Sequence, residues 1–314
     1  MSLPRFFLSA PLVIVTGVLI DSALPVDLHQ TVSGSSRGPC VRFGADGVWR
    51  ATRTADGPAT VHLRSVTEDR VEARAWGPGA NRALEGAAAL VGASDGDGGL
   101  AAGPDPRVRG LARRFRRLRI GASGNPFETL VPVVLEQKVQ TQSARASYRA
   151  MVVAHRSPAP SAPGAPPLLL PPTAEWLLEQ PSWVWHRWGV EGKRAATIRT
   201  AASYAHRVAE TATMPVDAAR RRLEALPGIG PWSVAEIAAV AFGDADAVSV
   251  GDFWLAHVVC HNLAGEARGT DERMLTLLAP WAGQRGRVCR LLMLGGSSPP
   301  RFGPRLPFSP IAAI

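Results

Sequence analysis

The chain has 314 residues, long enough to bury one large core or several smaller ones without crosslinks. Its three cysteines, Cys40, Cys260 and Cys289, are too few for a disulfide framework or for the four thiolates of an iron–sulfur cluster, so we expect a reducing, cytoplasmic protein without a cluster. Residues 1–106 carry 9 arginines and 11 acidic residues, whereas residues 107–314 carry a net charge of +11; this basic part favours a polyanionic partner, nucleic acid first.

An apolar run of 15 residues, FFLSAPLVIVTGVLI at positions 6–20, opens the chain. It resembles a weak signal peptide, but it is too short for a confident membrane span, and Pro11 and Gly17 interrupt it. Its β-branched residues suit a buried strand equally well. A buried strand, a misassigned start at Met1 and export therefore stay open, and we predict no membrane association.

Residues 26–76 alternate between apolar and polar side chains with a period of two, between turns that contain Gly and Asp. The pattern predicts antiparallel strands around residues 49–54, 60–64 and 71–76. Residues 92–106, GASDGDGGLAAGPDP, predict a Gly-rich linker or long loop. We therefore expect a small β-rich N-terminal domain over residues 1–106.

The remaining chain, residues 107–314, has mainly helical patterns, which together with the strands predicts the α+β class. Asn125, Pro126 and Glu128 have the order of a helix cap, and the apolar spacing after them predicts a helix of about six turns. A Pro-rich insertion at residues 157–172 excludes a continuous helix there. Further helices are predicted at residues 173–179, 193–212, 216–225, 231–242, 253–263 and 271–278.

The segment LPGIGPW, residues 226–232, lies between two predicted helices. Gly228 and Gly230 lack side chains, so the backbone N–H groups of a tight turn can approach a phosphate, and Pro231 starts a helix whose positive end points the same way. Ile229 can fill the gap between the two helices. The segment predicts a sequence-independent clamp on the DNA backbone; the alternative is an ordinary Gly-Pro connection between helices.

Asp252 follows Gly230 by 22 residues and precedes an apolar helix. Alone, such an Asp most often caps the helix. The hairpin and the Asp together, however, resemble the signature of the helix-hairpin-helix DNA glycosylase superfamily, and most closely its 3-methyladenine DNA glycosylase II branch. Two further segments support the resemblance, which covers about residues 110–295: the helix that runs from Phe127 to Gln137, and the helix start at Lys193.

The resemblance implies an enzyme of base excision repair, which flips alkylated purines out of double-stranded DNA and hydrolyses the glycosidic bond. Asp252 would be the catalytic carboxylate and Trp232 a pocket aromatic, with Glu236 where the family has a pocket tyrosine. Ile120, seven residues before Phe127, would fill the gap left by the base. An alkylated purine is already cationic and leaves without protonation, so the absence of an obvious second acid is consistent with this substrate.

The resemblance also implies which residues bind DNA, namely the hairpin residues Gly228, Ile229 and Gly230 together with Gln137 and Lys193. Relatives that cleave the strand have a lysine where this chain has Trp232, so a monofunctional enzyme is predicted. We expect a monomer without a cofactor, apart from a monovalent cation that the family holds on hairpin carbonyls. His257 and His261 lack further ligands, so no metal site is predicted. The alternative is a non-catalytic DNA-binding protein in which Asp252 is only a cap.

Overall fold

The computed structural model describes residues 14–35, 37–161 and 164–300, and for residues 14–16 the backbone alone. An antiparallel sheet of five strands, in the order β1-β5-β4-β3-β2, forms the N-terminal part. The three predicted strands are confirmed as β3, β4 and β5, and residue pairs such as Val61 with Ala75 set their register. The strands are β1 (Ile14–Asp21), β2 (Val41–Gly44), β3 (Gly47–Thr54), β4 (Gly57–Ser65) and β5 (Arg70–Trp76).

The apolar N-terminal run ends in β1, at the edge of the sheet. Ile20 is buried, whereas Val18 and Leu19 are exposed. The end of the run is therefore only partly buried, which differs from the fully buried strand that we considered; its residues 6–13 lie outside the described residues. In the described ranges, no helix combines the length and the apolar character that crossing a membrane would require.

Each face of the sheet has its own cover. One face packs its β-branched and aliphatic residues, Val48, Val61 and Leu63 among them, against three short helices. On the other face, Leu168 and Leu170 of the Pro-rich insertion pack against the tryptophans of β3 and β5. The described part of the insertion is extended and contains no helix, as predicted. The insertion is thus part of the sheet's packing.

The predicted linker at residues 92–106 is an anchored loop with a 3-10 turn at Leu100–Ala102. The Asp95 carboxylate accepts the N–H of Ile120 at 2.7 Å and pairs with Arg287, and Leu100 is buried. The segment is thus the long loop of the two predicted possibilities, and its turn-forming composition gave no sign of these long-range contacts. The domain boundary at residue 106 stays a prediction.

The helices follow in chain order. Periodicity located residues 271–278 correctly, whereas the segments at 193–212 and 231–242 are interrupted, the second by a π-helical turn, Ala238–Phe242. The helices are α1 (Leu28–Val32), α2 (Ala80–Glu85), α3 (Ala87–Leu90), α4 (Pro106–Arg114), α5 (Pro126–Glu136), α6 (Thr141–His155), α7 (Ala174–Glu179), α8 (Ser182–Arg187), α9 (Gly192–Ser203), α10 (Ala205–Glu210), α11 (Val216–Glu224), α12 (Pro231–Ile237), α13 (Leu255–Ala264), α14 (Asp271–Leu278) and α15 (Arg285–Gly295).

Two apolar cores hold the helices together. The first joins α5, α6, α7 and α9 to the α11–α12 pair, and its largest fully buried side chains include Trp185, Met151 and Ile237. The second joins α4, α13, α14 and α15. The loop that carries Asp252 therefore runs from one helical core to the other.

A buried ion pair ties the sheet to the first core. Glu128, in the first turn of α5, pairs with Arg50 of β3 at 3.0 Å, and both side chains are almost fully buried. Its carboxylate also accepts from the Thr52 hydroxyl and from the Arg53 N–H at 2.6 Å. Three donors, the Arg50 guanidinium, the Thr52 hydroxyl and the Arg53 N–H, thus compensate the buried charge. The N-terminal end of α5 is thereby fixed to the sheet.

Candidate active site and DNA-binding hairpin

The predicted hairpin connects α11 to α12 through a tight turn. Gly228 has a φ of +86°, and a Cβ built on it would lie 2.1 Å from Oγ1 of Thr197 in α9. Both the backbone conformation and the available space therefore require glycine at this position. Ile229 is 3% exposed and packs in the first helical core, so it fills the gap between α11 and α12 as predicted. Gly230 precedes Pro231, the first residue of α12. The turn therefore has the close backbone and the helix start that a phosphate clamp needs.

Gln137 braces the turn from α5. Its Nε2 donates to the Gly228 carbonyl and to the Ser233 hydroxyl, both at 2.9 Å. This contact explains why the predicted six-turn helix is wrong: α5 ends at Glu136, and Lys138 adopts a φ of +55° before α6 begins. Arg194 donates to the freed Leu135 carbonyl at 2.8 Å. Gln137 thus supports the hairpin turn, and its predicted contact with DNA stays a prediction.

The two oxygens of Asp252 have different partners. Oδ1 accepts the backbone N–H groups of Trp254 and Leu255, both at 2.7 Å, which is the predicted helix-capping contact. Oδ2 accepts the indole N–H of Trp232 at 3.2 Å. A cap does not need this second contact. Asp252 is partly exposed, so one fixed carboxylate faces both the hairpin helix α12 and solvent.

Trp232 approaches Asp252 with the edge of its indole ring. The side chain is partly buried and packs against the first helical core. Because Nε1 is engaged with the carboxylate, the ring is held in one orientation. The aromatic residue and the predicted catalytic carboxylate are thus brought together, which the sequence suggested only through the resemblance.

Glu236 lies one helical turn after Trp232, on the same face of α12. Its Oε1 accepts from the Ser249 hydroxyl at 2.5 Å. Burial raises the pKa of Glu236 above its ordinary value; the carboxylates of Glu136 and Asp252 raise it further, whereas the Ser249 hydroxyl and Arg37 lower it. A second carboxyl therefore lies near Asp252, although the sequence analysis found no partner acid.

Ile120 does not fit its predicted role of filling the gap that the flipped base leaves in DNA. The residue is 8% exposed, its N–H is bonded to Asp95, and its carbonyl packs against Gly92. Residues 107–119, which precede Ile120, contain seven arginines and no acidic residue, and they are not one continuous helix because α4 ends at Arg114. A side chain that fills a gap in DNA must project from the surface, and this position does not provide one.

Other predicted residues are placed as follows. Lys193 is exposed at the start of α9, in keeping with contact to DNA. His257 accepts the Gly269 N–H at Nδ1, 3.1 Å, so this nitrogen has a structural role. The Gly228 carbonyl could be one ligand of the predicted monovalent cation, but it already accepts from Gln137, so the cation stays a prediction.

Four residues of the site escaped sequence reasoning. Arg37 pairs with Glu136 next to Glu236, and Ser249 holds Glu236 directly. Phe253 follows Asp252 and is 90% exposed. The predicted helix at residues 253–263 includes it, whereas α13 begins at Leu255. The signal available in the sequence was an aromatic residue directly after the candidate catalytic carboxylate. For the remaining three, only the fold brings distant segments together.

Comparison with solved structures identifies the class of fold, that of the DNA glycosylases. A 3-methyladenine DNA glycosylase from Archaeoglobus fulgidus matches 88% of this chain and 97% of its own, with a TM-score of 0.74 and 16% identity. The apo 8-oxoguanine glycosylase/lyase of Clostridium acetobutylicum matches 90% of this chain and 97% of its own, with a TM-score of 0.64 and 13% identity.

A third structure belongs to the same class. The 3-methyladenine DNA glycosylase of Schizosaccharomyces pombe, in complex with abasic DNA, matches 62% of this chain and 94% of its own, with a TM-score of 0.51 and 16% identity. No protein-family model and no curated protein matches the sequence. The resemblance to the helix-hairpin-helix glycosylases is thus confirmed at the level of the fold.

Proposed function

We propose that this protein is a monofunctional DNA glycosylase that excises alkylated purines and leaves an abasic site. The observation that carries the proposal is the placement of Asp252, which is fixed through Oδ1 and directed through Oδ2 at Trp232 of the hairpin helix. The fold supports the proposal as well, because 3-methyladenine DNA glycosylases share it.

Asp252 would act on the sugar. Cleavage of the bond between base and deoxyribose develops positive charge on the sugar ring, and a preorganised carboxylate stabilises that charge. The two backbone amides on Oδ1 hold the group so that little reorganisation accompanies the reaction. The same carboxylate can orient a water molecule toward the sugar carbon.

The preference for alkylated purines rests on Trp232. An indole face attracts a cation by roughly 0.5–2 kcal/mol, depending on how far the pair is desolvated. N3- and N7-methylated purines carry that positive charge, and they are good leaving groups. Trp232→Ala should therefore slow the release of 3-methyladenine and 7-methylguanine more than the release of the neutral base hypoxanthine.

DNA would be held by the turn at Gly228–Gly230 and by Lys193. The flipped base leaves a gap that a surface residue must fill. Since Ile120 is buried, we assign this role to the turn at residues 138–139, which follows Gln137 against the hairpin and exposes Lys138. The exposed ring of Phe253 would contact the strand beside Asp252.

Strand cleavage is not part of the proposal. A lyase needs an amine that attacks the sugar, and the chain has only Lys138 and Lys193. The hairpin position at which a lyase lysine is expected is occupied by Trp232, whose N–H bonds to Asp252. We also retain the prediction that the protein acts as a monomer in the cytoplasm.

The second candidate, a DNA-binding protein without catalysis, is favoured by the cap contacts of Asp252. Asp252→Asn separates the two, because an Asn oxygen can still accept from both amides while the negative charge is lost. On methylated duplex DNA, the variant should release bases about 100- to 1000-fold more slowly than wild type. Its binding to abasic-site DNA should persist.

Asp271→Asn is the matched control, since Asp271 bonds to the neighbouring Gly251 N–H and contacts the same loop from α14. It should retain base release within a few fold. If wild-type protein binds methylated DNA and releases no base, the non-catalytic candidate is correct. If Asp252→Asn is as active as wild type, Asp252 is a cap and another group is catalytic.

A further inference from the structure

A second carboxyl group faces the loop that holds Asp252. Trp232 and Glu236 are one turn apart on α12; the first contacts Asp252 and the second contacts Ser249. Ser249 and Asp252 belong to one turn, in which the Asp252 N–H donates to the Ser249 carbonyl at 3.2 Å. The Glu236 carboxyl is therefore bound to the same turn that carries the Asp252 carboxylate, and α12 contacts this turn at both residues.

The surroundings of Glu236 favour its neutral form. Burial raises the pKa of its carboxyl, and the charged groups that face it are Asp252 from the loop, Glu136 from the end of α5 and Arg37 from the segment before β2. Arg37 is itself paired with Glu136, so little positive charge remains to stabilise a Glu236 carboxylate. The side chain is nevertheless partly exposed, on the same face of α12 as Trp232.

Ser249 determines which oxygen carries the proton. Its hydroxyl donates to Oε1, and this oxygen is therefore an acceptor. In the neutral carboxyl the acidic hydrogen then resides on Oε2. A group of this kind can donate a hydrogen bond, and finally a proton, to a ring nitrogen.

We propose, given the glycosylase function above, that Glu236 is a general acid that extends excision to neutral purines. The Oε2 proton passes to an acceptor nitrogen of the flipped base as the bond from the sugar carbon to the base breaks. The bonding electron pair leaves with the base, which departs uncharged. Water adds to the sugar carbon next to Asp252 and loses its proton to that carboxylate, from which it passes to solvent; Glu236 recovers a proton from solvent.

This role separates two classes of substrate. A methylated cationic purine leaves without protonation and needs only Asp252 and the Trp232 face. A neutral purine such as hypoxanthine needs the acid as well. The rate on neutral bases should therefore fall as the pH rises through the raised pKa of Glu236, because the proton donor is lost there. The rate on cationic bases should lack this decline.

Glu236→Gln tests the proposal, because the amide oxygen can still accept from Ser249 while the side chain has no proton to transfer. Single-turnover rates would be compared on matched duplexes with hypoxanthine or 7-methylguanine, between about pH 5 and 9. The loss on hypoxanthine should exceed the loss on 7-methylguanine by about 100-fold or more, and the decline with pH should vanish. Binding of abasic-site DNA verifies that the variant is folded.

Two more variants sharpen the test. Ser249→Ala removes a hydrogen bond that lowers the pKa of Glu236, so the decline on hypoxanthine should move to higher pH, which a merely structural role would not produce. Glu179→Gln, at an exposed position at the end of α7, removes a carboxylate elsewhere and should behave as wild type.

The outcomes distinguish this proposal from the one on which it rests. Equal losses on the two bases, an unchanged pH profile in Glu236→Gln, or release of 7-methylguanine without hypoxanthine in wild type would each overturn the role of Glu236 alone. Failure of wild type to release either base would overturn the glycosylase function, and the acid with it.

Discussion

Replacing Gly228 by alanine should destabilise the protein by an amount that the structure divides into two parts. The first is the backbone: at a φ of +86°, an L-residue costs roughly 1–2 kcal/mol. The second is steric, because the new Cβ would lie 2.1 Å from Oγ1 of Thr197 and 3.0 Å from its Cγ2, and overpacking of this kind costs about 1–3 kcal/mol. The free energy of unfolding should therefore fall by about 2–5 kcal/mol.

Urea denaturation of four proteins measures the two parts. Gly230→Ala is the matched control, since Gly230 has an ordinary φ of −100° and its Cβ would meet nothing within 4 Å, so its stability should stay within about 0.5 kcal/mol of wild type. Adding Thr197→Ala to Gly228→Ala removes Oγ1 and Cγ2 and should recover the steric part only. Equal stability of Gly228→Ala and Gly230→Ala would contradict both contributions, and recovery of the whole loss in the double variant would contradict the backbone contribution.

Three further predictions concern the Arg50–Glu128 ion pair, Trp232 and Lys138. Arg50→Ala should lower the free energy of unfolding by about 3–5 kcal/mol because Glu128 stays buried without its ion partner. Arg64→Ala, the control at a more exposed ion pair, should lower it by less than about 1 kcal/mol. Equal losses in urea denaturation would contradict a structural role of the Arg50–Glu128 pair. Trp232→Phe keeps an aromatic face and loses the N–H, so its single-turnover rate on 7-methylguanine should exceed that of Trp232→Ala; equal rates would assign the effect to the hydrogen bond. Borohydride should trap no protein–DNA adduct on abasic DNA, and an adduct that disappears in Lys138→Gln would show that the enzyme is a lyase.

Local sequence patterns predicted some elements well and failed where distant contacts decide. Helix α14 was found with its exact bounds because Thr270 caps it and its apolar spacing is regular. The long helix from Pro126 fails because Gln137 bonds to a carbonyl 91 residues away, a partner that no local window contains. The hairpin glycines were singled out because they lack side chains and allow a tight turn, and Gly228 lies in such a turn with a left-handed backbone.

In the candidate site, too, local sequence patterns were sufficient for some residues, whereas others depend on contacts between segments far apart in sequence. Asp252 could be singled out from its spacing to the hairpin, whereas Ile120 was chosen from spacing and is buried by the loop around Asp95. The environment of Glu236 depends on Ser249 and on the Arg37–Glu136 pair, which come from three separate segments. A carboxyl whose chemistry is set by such neighbours could not be assigned from sequence.

Helix α5 also fixes the distance between the sheet and the hairpin. Glu128 in its first turn is fixed to β3, and Gln137 directly after its last residue supports the Gly228 turn. Glu128 and Gln137 are nine residues apart, so the two contacts lie about 14 Å from each other along the helix axis. The N-terminal sheet therefore fixes the position of the hairpin through α5. A chain shortened to residues 107–314 would retain every proposed catalytic group but would lose the sheet that positions the hairpin relative to them.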